Sequence, residues 1–387
     1  MLRASVIVTL AVMFATPAGA QTAEEYRADA IAIPRAIAER YAYLDRLPDQ
    51  RPPDSAVLDA EARAVGDGRA LLAHAERRLL TLADHHAITG SSFADSWGLV
   101  PTYSDLWVEW SDGRYRIDAV RAGSPAAKAG IAAGGHLVAV DGEPIEAAIA
   151  AFWADLGLAV SDQRRAFAAR VLATGRRDRP RSLSIEDAGG AIRRVDLPNL
   201  YEWNAPTRGV VVSTAGDGGL LIVINDALGD DATIAAFDSA MEAAEPGQPI
   251  TLDLSNTPSG GNTVVARAIM GWFVTRPTAY QIHERPEEGR RTGIPRRWIE
   301  QVSPRPGKFH DGSVTVRVGR WTGSMGEGLA IGFDALGARV VGDTMAGLLG
   351  AIEDHRLANS GFVLKLPTER LYAVDDVARE AFSSEAP

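Results

Sequence analysis

Apolar residues recur at helical spacing in the N-terminal part of the chain. One face of a predicted helix within residues 21–50 carries Ile33, Ile37, Tyr41 and Leu44. A second predicted helix begins near Ala56, and glycines at positions 66 and 68 interrupt it. The pattern therefore predicts an N-terminal helical region, residues 21–92, in which Asp84, His85 and His86 follow the last helix.

Short apolar runs separated by turn residues replace this pattern over residues 93–150. The predicted strands are Leu106 to Trp110, Tyr115 to Val120 and Leu137 to Val140. A turn with a short helix lies between the last two strands, and Asp141-Gly142 forms a tight turn after them. Residues 151–208 then predict one or two helices and a β-hairpin, which we interpret as a connecting element.

Buried strands alternate with helices over residues 209–387, which predicts an α/β layer fold. The predicted strands are Leu220 to Ile224, Ile250 to Leu254, Val314 to Val318 and Ala338 to Val341, and the helices between the first three are Ala232 to Ala244 and Asn262 to Phe273. The segment 274–312 is rich in arginine, proline and glycine. We expect it to be irregular and partly draped over the site.

The stretch Arg320 to Gly350 places a serine at the start of a predicted helix. Ser324 follows Thr322 and Gly323, and the apolar residues after it recur at helical spacing until Gly337. Ser324 and Glu327 have the spacing of a capping box, in which the two side chains satisfy free backbone N–H groups. A nucleophilic serine at this place would also have N–H groups and the helix dipole beside it to stabilise an oxyanion.

The N-terminal segment, the net charge and the cysteine content narrow the choice of protein class. The first twenty residues have Arg3, an apolar run and the small-residue site Ala18-Gly19-Ala20, which predicts a secretory signal cleaved near Ala20. The formal net charge of −10 argues against a general nucleic-acid binder. The chain has no cysteine, which excludes disulfides and thiolate metal ligands. We expect an exported protein, periplasmic or secreted, without an integral membrane span after signal removal.

The order of these motifs resembles that of the S41 serine peptidases, the C-terminal-processing and tricorn-type proteases. The residues that carry the resemblance are Asp84-His85-His86, Asp253-Leu254, Gly260-Gly261, Thr322 to Glu327, and Val340 to Asp343. Residues 93–150 resemble a circularly permuted PDZ domain, although His136 stands where that family usually has aspartate. The resemblance implies a crotonase/ClpP-like α/β catalytic core, residues 209–387, with an N-terminal helical region and an inserted PDZ-like β domain.

The chain differs from one branch of that family at the residue that would serve as general base. The processing proteases use a Ser–Lys dyad, but the aligned position here is Leu348. The tricorn-like branch uses histidine, so the resemblance makes Ser324 the nucleophile and His86 the base, with His85 as the alternative. A late glutamate takes part in that branch. Glu380 is therefore the candidate to orient the imidazole, and Asp84 and Glu369 are its rivals.

The resemblance also implies an oxyanion site and a peptide-binding loop. The oxyanion donors would be the amides of Met325 and of Gly260 or Gly261. The PDZ-like carboxylate loop would consist of Gly98, Leu99 and Val100. The histidines show no metal-ligand spacing, and no phosphate-binding glycine motif follows a strand, so we expect neither a metal nor another cofactor.

These observations predict an exported serine peptidase that acts on a peptide or protein substrate through a Ser-His(-Glu) arrangement. A catalytically inactive peptide-binding or scaffold protein on the same fold is the alternative, because the family lysine is missing and His85 replaces a glycine. An esterase or amidase on the same site is a third hypothesis. The sequence leaves the substrate, the cleavage specificity and the oligomeric state open.

Overall fold

A computed structural model describes residues 21–203, 208–216 and 218–386. The predicted signal segment, residues 1–20, lies outside this range. Within the described part of the chain, no helix is both long enough and apolar enough to cross a membrane.

The N-terminal region is helical, as predicted. Its elements are α1 Ala23–Arg40, α2 Ala56–Ala64, α3 Gly68–Leu80 and the short strand β1 Ile88–Thr89, with 3-10 turns at Leu44–Arg46 and Pro48–Gln50. Thr22, Ser55 and Asp67 begin the three helices, and the side chain of each accepts a backbone N–H of the first turn. The apolar faces of α1 and α3 share a core with Leu349, Leu364 and Leu366 from the C-terminal part. The helical region is therefore packed against the end of the chain.

A six-stranded sheet forms the second part of the molecule. Its elements are β2 Leu106–Ser111, β3 Arg114–Val120, α4 Pro125–Lys128, β4 His136–Val140, β5 Glu143–Pro144, α5 Ile145–Asp155, α6 Asp162–Thr174, β6 Arg181–Glu186 and β7 Ile192–Leu197. The strand order is β2-β3-β4-β6-β7, with β5 paired to β4. The β6–β7 hairpin, which the sequence assigned to a connecting segment, is hydrogen-bonded to β4 and so completes this sheet.

The remaining chain alternates strands and helices. In chain order it comprises β8 Gly209–Thr214, β9 Leu220–Asn225, α7 Ala232–Glu242, β10 Ile250–Asp253, α8 Thr263–Met270, β11 Thr278–Arg285, α9 Pro286–Thr292, β12 Arg296–Val302, β13 Val314–Val318, α10 Met325–Ala335, β14 Arg339–Gly342, β15 Ala351–Arg356, β16 Val363–Tyr372 and a 3-10 turn at Arg379–Ala381. Strands β9, β10, β13 and β14 are parallel, and β8 runs antiparallel at the edge. The carboxyl ends of β10 and β13 therefore meet at one edge of the sheet.

The prediction that 274–312 is irregular is wrong. Strands β11 and β12 pair with each other, and β11 also pairs with β16, in a second sheet of order β1-β16-β11-β12 with β15 paired to β16. The buried positions of β11 include Gln281 and His283, so the usual alternation of apolar and polar residues is absent. Polar partners across the sheet make these residues compatible with burial, and a single-sequence pattern does not reveal such partners.

Helix α10 lies at the centre of the α/β core. Every residue from Met325 to Phe333 is buried. Leu329 and Phe333 belong to the same cluster as Val316 on β13 and Met270 on α8. A helix that is buried all round is held in place by packing on several sides, so its first turn is a rigid platform for Ser324.

Candidate active site

Ser324 stands between β13 and α10 in a strained backbone conformation. Its φ is 51° and its ψ is −112°, and positive φ is uncommon for any residue other than glycine. Its amide donates to Glu327 Oε2 at 2.7 Å, which is the carboxylate half of the predicted capping box. An ordinary helix cap has an extended backbone, so the strained geometry here indicates a residue held for a purpose other than capping.

The loop after β10 lies directly against the serine. A Cβ added to Gly260 would lie 2.9 Å from Ser324 Oγ and 2.8 Å from Met325 N, and closer still to Ser324 Cβ. Gly260 has a φ of 66°, and a Cβ on Gly261 would overlap the carbonyl group of Leu228. Only glycines fit at these two positions, because the loop backbone itself makes the contact.

Two of the three amides predicted to bind an oxyanion have no internal hydrogen bond within the described residues. Within the described residues, no hydrogen-bond acceptor is recorded for the amide of Met325 or of Gly261. The amide of Gly260 donates to Thr257 O at 3.3 Å. Of the three predicted oxyanion donors, Met325 and Gly261 are thus available, and Gly260 has a long internal bond.

Glu327 connects the segment at Ser324 to the chain that follows β14. Its carboxylate accepts the amides of Gly347 at 2.8 Å and Leu348 at 3.3 Å, in addition to that of Ser324. Complete burial raises the pKa of Glu327 to about 7, although the nearby Arg379 guanidinium and the three N–H donors favour the ionised form. This side chain fixes the distance between Ser324 and residues 347–348.

Leu348, which the resemblance aligned with the lysine of the processing proteases, is part of an apolar cluster. It packs with Val100, Trp107, Trp321 and Ala346. The Trp321 indole N–H also donates to Ser104 O at 2.8 Å, which ties the segment before the nucleophile to the loop before β2. The three lysines of the chain lie elsewhere, because Lys308 and Lys365 pair with Glu242 and Asp354, and Lys128 is exposed on α4.

His86 lies beside this same segment, with its imidazole held by a backbone carbonyl. Its Nδ1 is 2.7 Å from Leu349 O, and its backbone amide donates to Asp84 Oδ1 at 2.8 Å. Because a carbonyl oxygen can only accept, Nδ1 carries the proton and Nε2 has the free lone pair. Burial, assisted by the positive charge of Arg379, lowers the pKa of His86 to about 4. The ring is therefore neutral at physiological pH.

His85 faces a different part of the molecule. Its ring stacks on Phe167 of α6 with 4.4 Å between the ring centroids. Burial lowers the pKa of His85 well below its ordinary value. Of the two adjacent histidines, only His86 contacts the segment that Glu327 joins to Ser324.

None of the three carboxylates considered for orienting His86 bonds its ring in the described structure. Asp84 accepts the Tyr41 hydroxyl at 2.8 Å and the His86 backbone amide, and burial raises the pKa of Asp84 to about 6. Glu369 instead bonds His283 at 2.8 Å. One carboxylate oxygen of Glu380 is buried without a hydrogen-bond partner among the described residues.

The sequence did not single out Arg379, which lies at the centre of this corner. Its Nη2 donates to Leu348 O at 2.7 Å and to Gly350 O at 2.8 Å, and the side chain is 2% exposed.

Ser324 Oγ and the His86 ring make no direct hydrogen bond in the described structure, and such bonds are often long before substrate binds.

The predicted peptide-binding loop lines a cavity of about 880 Å³ between α3 and the helices α5 and α6. Gly98, Leu99 and Val100 contribute to its wall, together with aromatic residues and four arginines, among them Phe93, Trp97, Phe152, Phe167, Arg176 and Arg177. The Gly98 amide donates to Gly175 O at 2.9 Å, so it is already bonded. Ser324 does not line this cavity. Within the described residues no cluster of histidine and carboxylate side chains could hold a metal ion.

Two solved structures resemble the whole fold. A photosystem II D1 C-terminal processing protease superposes with a TM-score of 0.56 at 15% sequence identity, covering 94% of this chain and 93% of that chain. Mature CPAF in complex with lactacystin superposes with a TM-score of 0.55 at 14% identity, covering 94% and 93%. No protein-family model matches the sequence, and no curated protein matches it either. The likeness confirms the mixed α/β fold that the S41 resemblance implied, and the PDZ-like insertion stays a prediction.

Proposed function

We propose that this chain is an exported serine peptidase in which Ser324 is the nucleophile and His86 is the general base. The observation that carries the proposal is the pair of clamps on residues 347–349. Glu327 joins the Ser324 amide to Gly347 and Leu348, and the next carbonyl, Leu349 O, holds the His86 ring. Residues 347–349 thus position both the nucleophile and the base, and the fold around them is shared with a processing protease.

The reaction follows from the tautomer of His86. Ser324 Oγ attacks the peptide carbonyl carbon while its proton passes to His86 Nε2. His86 then gives the proton to the leaving amine, and an acyl-Ser324 ester remains. Water attacks this ester with His86 again as base, which releases the acid and restores the serine. The Leu349 carbonyl keeps Nδ1 protonated throughout, a task that a carboxylate performs in other triads.

The oxyanion of the tetrahedral intermediate would be bound by the Met325 amide and by Gly261, with Gly260 as the close-packed neighbour. The Met325 amide also lies at the positive end of α10, which favours negative charge there. Glu380 contributes negative charge to the same corner, where it adds to the effect of burial in raising the pKa of Asp84. In this proposal it acts on the Asp84–Tyr41 pair, and the ring is oriented by Leu349.

Substrate recognition is proposed for the PDZ-like residues 93–150. Gly98, Leu99 and Val100 line the cavity described above, and its aromatic wall suits an apolar peptide side chain. Val100 also packs against Trp321 and Leu348, so this loop adjoins the nucleophile segment. The substrate would be a peptide or an unfolded protein in the periplasm or outside the cell.

The test is labelling by a fluorophosphonate probe and turnover of casein by the purified chain without residues 1–20. We expect the wild-type protein to be labelled and to cleave casein, and Ser324→Ala and His86→Ala to do neither. Asp29→Asn, a change at a buried carboxylate of α1, serves as the matched control and should keep both activities. Equal casein turnover in wild type and both site variants would refute the proposal. Parallel assays with ester substrates separate an esterase from a peptidase.

A catalytically inactive peptide-binding protein is the second candidate. It is favoured by one observation, the absence of a described hydrogen bond between the Ser324 hydroxyl and the His86 ring. Such a protein would bind peptide at the 880 Å³ cavity without probe labelling of Ser324. Labelling that requires both Ser324 and His86 would exclude it.

A further inference from the structure

Arg379 is a buried cation whose charge the proposed reaction does not use. It begins the 3-10 turn Arg379–Ala381 and is 2% exposed. One nitrogen, Nη2, donates to the carbonyls of Leu348 at 2.7 Å and Gly350 at 2.8 Å. A guanidinium remains protonated in proteins, so this group is a permanent positive charge and not a base.

The two carbonyls that Arg379 binds flank the one that holds the base. Leu349 O, between them, lies 2.7 Å from His86 Nδ1. The amides of the same segment are bound by Glu327, whose carboxylate also takes the Ser324 amide and lies 3.9 Å from Arg379 Nη2. Three side chains therefore hold residues 347–350: Glu327 binds backbone amides, whereas Arg379 and His86 bind backbone carbonyls.

We propose that Arg379 is a positioning residue that holds residues 348–350 so that Leu349 O fixes the tautomer and direction of His86 while Glu327 fixes Ser324. This inference rests on the proposed roles of Ser324 and His86. The position that the processing proteases fill with lysine is apolar here, and the cation reaches the same segment from the C-terminal turn instead.

The electrostatics of the corner agree with this geometry. Besides desolvation, the guanidinium disfavours a second proton on His86, and it favours the ionised form of Glu327. The other titratable groups packed around this corner are Asp84, Tyr41, Tyr43 and Glu380. Arg379 acts on both His86 and Glu327. Its loss should therefore raise the pKa of both groups.

The experiment is a titration of histidine ring nitrogens by NMR on protein labelled with ¹⁵N-histidine. The His86 signals are assigned by their absence in His86→Gln. In the wild-type protein we expect a single Nδ1–H tautomer that stays neutral down to low pH. In Arg379→Gln we expect exchange between tautomers and a His86 pKa moved upward toward its ordinary range. Fluorophosphonate labelling of Ser324 should fall on the order of 100-fold, as for a misplaced catalytic group.

Two further variants sharpen the result. Arg379→Lys keeps the positive charge and should keep His86 neutral with most of the labelling rate. Arg305→Gln is the matched control, because Arg305 also donates to a partly buried helix carbonyl, Ala268 O at 3.0 Å, yet lies away from the corner. It should titrate and label like the wild-type protein. Thermal unfolding of each variant shows which are folded.

A folded Arg379→Gln with unchanged His86 tautomer and titration would overturn the inference. If that variant does not fold, Arg379→Lys decides, and a His86 that titrates near its ordinary value there would equally overturn it. Failure of the proposed function looks different. In that case wild-type Ser324 is not labelled at all, while His86 still changes between the wild-type protein and Arg379→Gln, and the positioning of His86 by Arg379 stands.

Discussion

Replacing Glu327 by glutamine tests how the nucleophile is held, because it removes the charge and keeps the shape. In the wild-type protein Oε2 accepts the amides of Ser324 and Leu348, and Oε1 accepts that of Gly347. Glutamine has one carbonyl oxygen and one NH2 group. At least one of these buried N–H donors must then face another donor, which costs about 1–3 kcal/mol.

The opposing contribution comes from the buried charge. Burial raises the pKa of Glu327 from the ordinary 4.5 to about 7. At 1.36 kcal/mol per pKa unit, keeping this carboxylate ionised in the folded chain costs roughly 3 kcal/mol above pH 7. Glutamine has no such cost, so near pH 8 we expect Glu327→Gln to match the wild-type unfolding free energy within about 2 kcal/mol.

The two effects separate with pH. A carboxyl whose pKa is raised on folding stabilises the folded chain below its unfolded pKa, and that contribution is lost as pH rises through the folded pKa. The wild-type protein should therefore lose roughly 3 kcal/mol relative to Glu327→Gln between pH 4.5 and pH 8. Urea unfolding of both proteins across this range measures the difference directly.

Catalysis should respond differently from stability. Because the Ser324 amide loses its charged acceptor, fluorophosphonate labelling of Glu327→Gln should fall by about 100-fold even where the variant is as stable as wild type. Asp29→Asn is the control, since Asp29 is also a buried carboxylate that accepts backbone amides, those of Asn359 and Ser360. It should lose stability and keep its labelling rate. A stability difference that is the same at pH 5 and pH 8, or undiminished labelling in Glu327→Gln, would refute this reasoning.

Three other outcomes follow from the same geometry. Gly260→Ala should abolish fluorophosphonate labelling, because the added Cβ would overlap Ser324. Gly247 has a similar φ of 70° and no atom within 4 Å of an added Cβ, so Gly247→Ala should cost only about 1 kcal/mol of stability. Equal labelling of the two variants would contradict this. The kcat/KM for peptide should rise with pH through about 7, where the buried carboxylate of Glu327 ionises. His86, with a pKa of about 4, is already neutral in this range. A rise in kcat/KM near pH 4 would instead assign the pH dependence to the imidazole. Leu348→Lys should lower the unfolding free energy by several kcal/mol by burying an unpaired charge among indole rings, while Leu348→Met should cost less than about 1.5 kcal/mol, and similar urea midpoints for both would be inconsistent with that burial.

The parts of the site that are local in sequence were predictable. Val314 to Val318 is a strand over the expected residues, and the helix after Ser324 begins and ends about where its apolar spacing and Gly337 indicated. Gly260, which follows β10, also lies against Ser324, as the order of motifs implied. Helical and strand periodicity is strong in these segments because they are buried against apolar neighbours.

The parts that depend on distant partners were not predictable. Arg379 is an arginine close to the C-terminus, a place where side chains are usually exposed, and its burial results from carbonyls that only the tertiary fold supplies. The choice between the two histidines depends on Phe167, about eighty positions away, which stacks on His85. Strand β11 was missed because its buried polar side chains find their partners on β12 and β16.

The apolar cluster of Val100, Trp107, Trp321 and Leu348 has a consequence for how the chain becomes active. It joins the six-stranded sheet to the segment before Ser324, so the α/β core, if expressed alone, would expose an indole and a leucine beside the candidate site. The two units cover each other's apolar residues at this contact, so we expect them to unfold together. The proposed peptidase would then gain activity only when both units have folded.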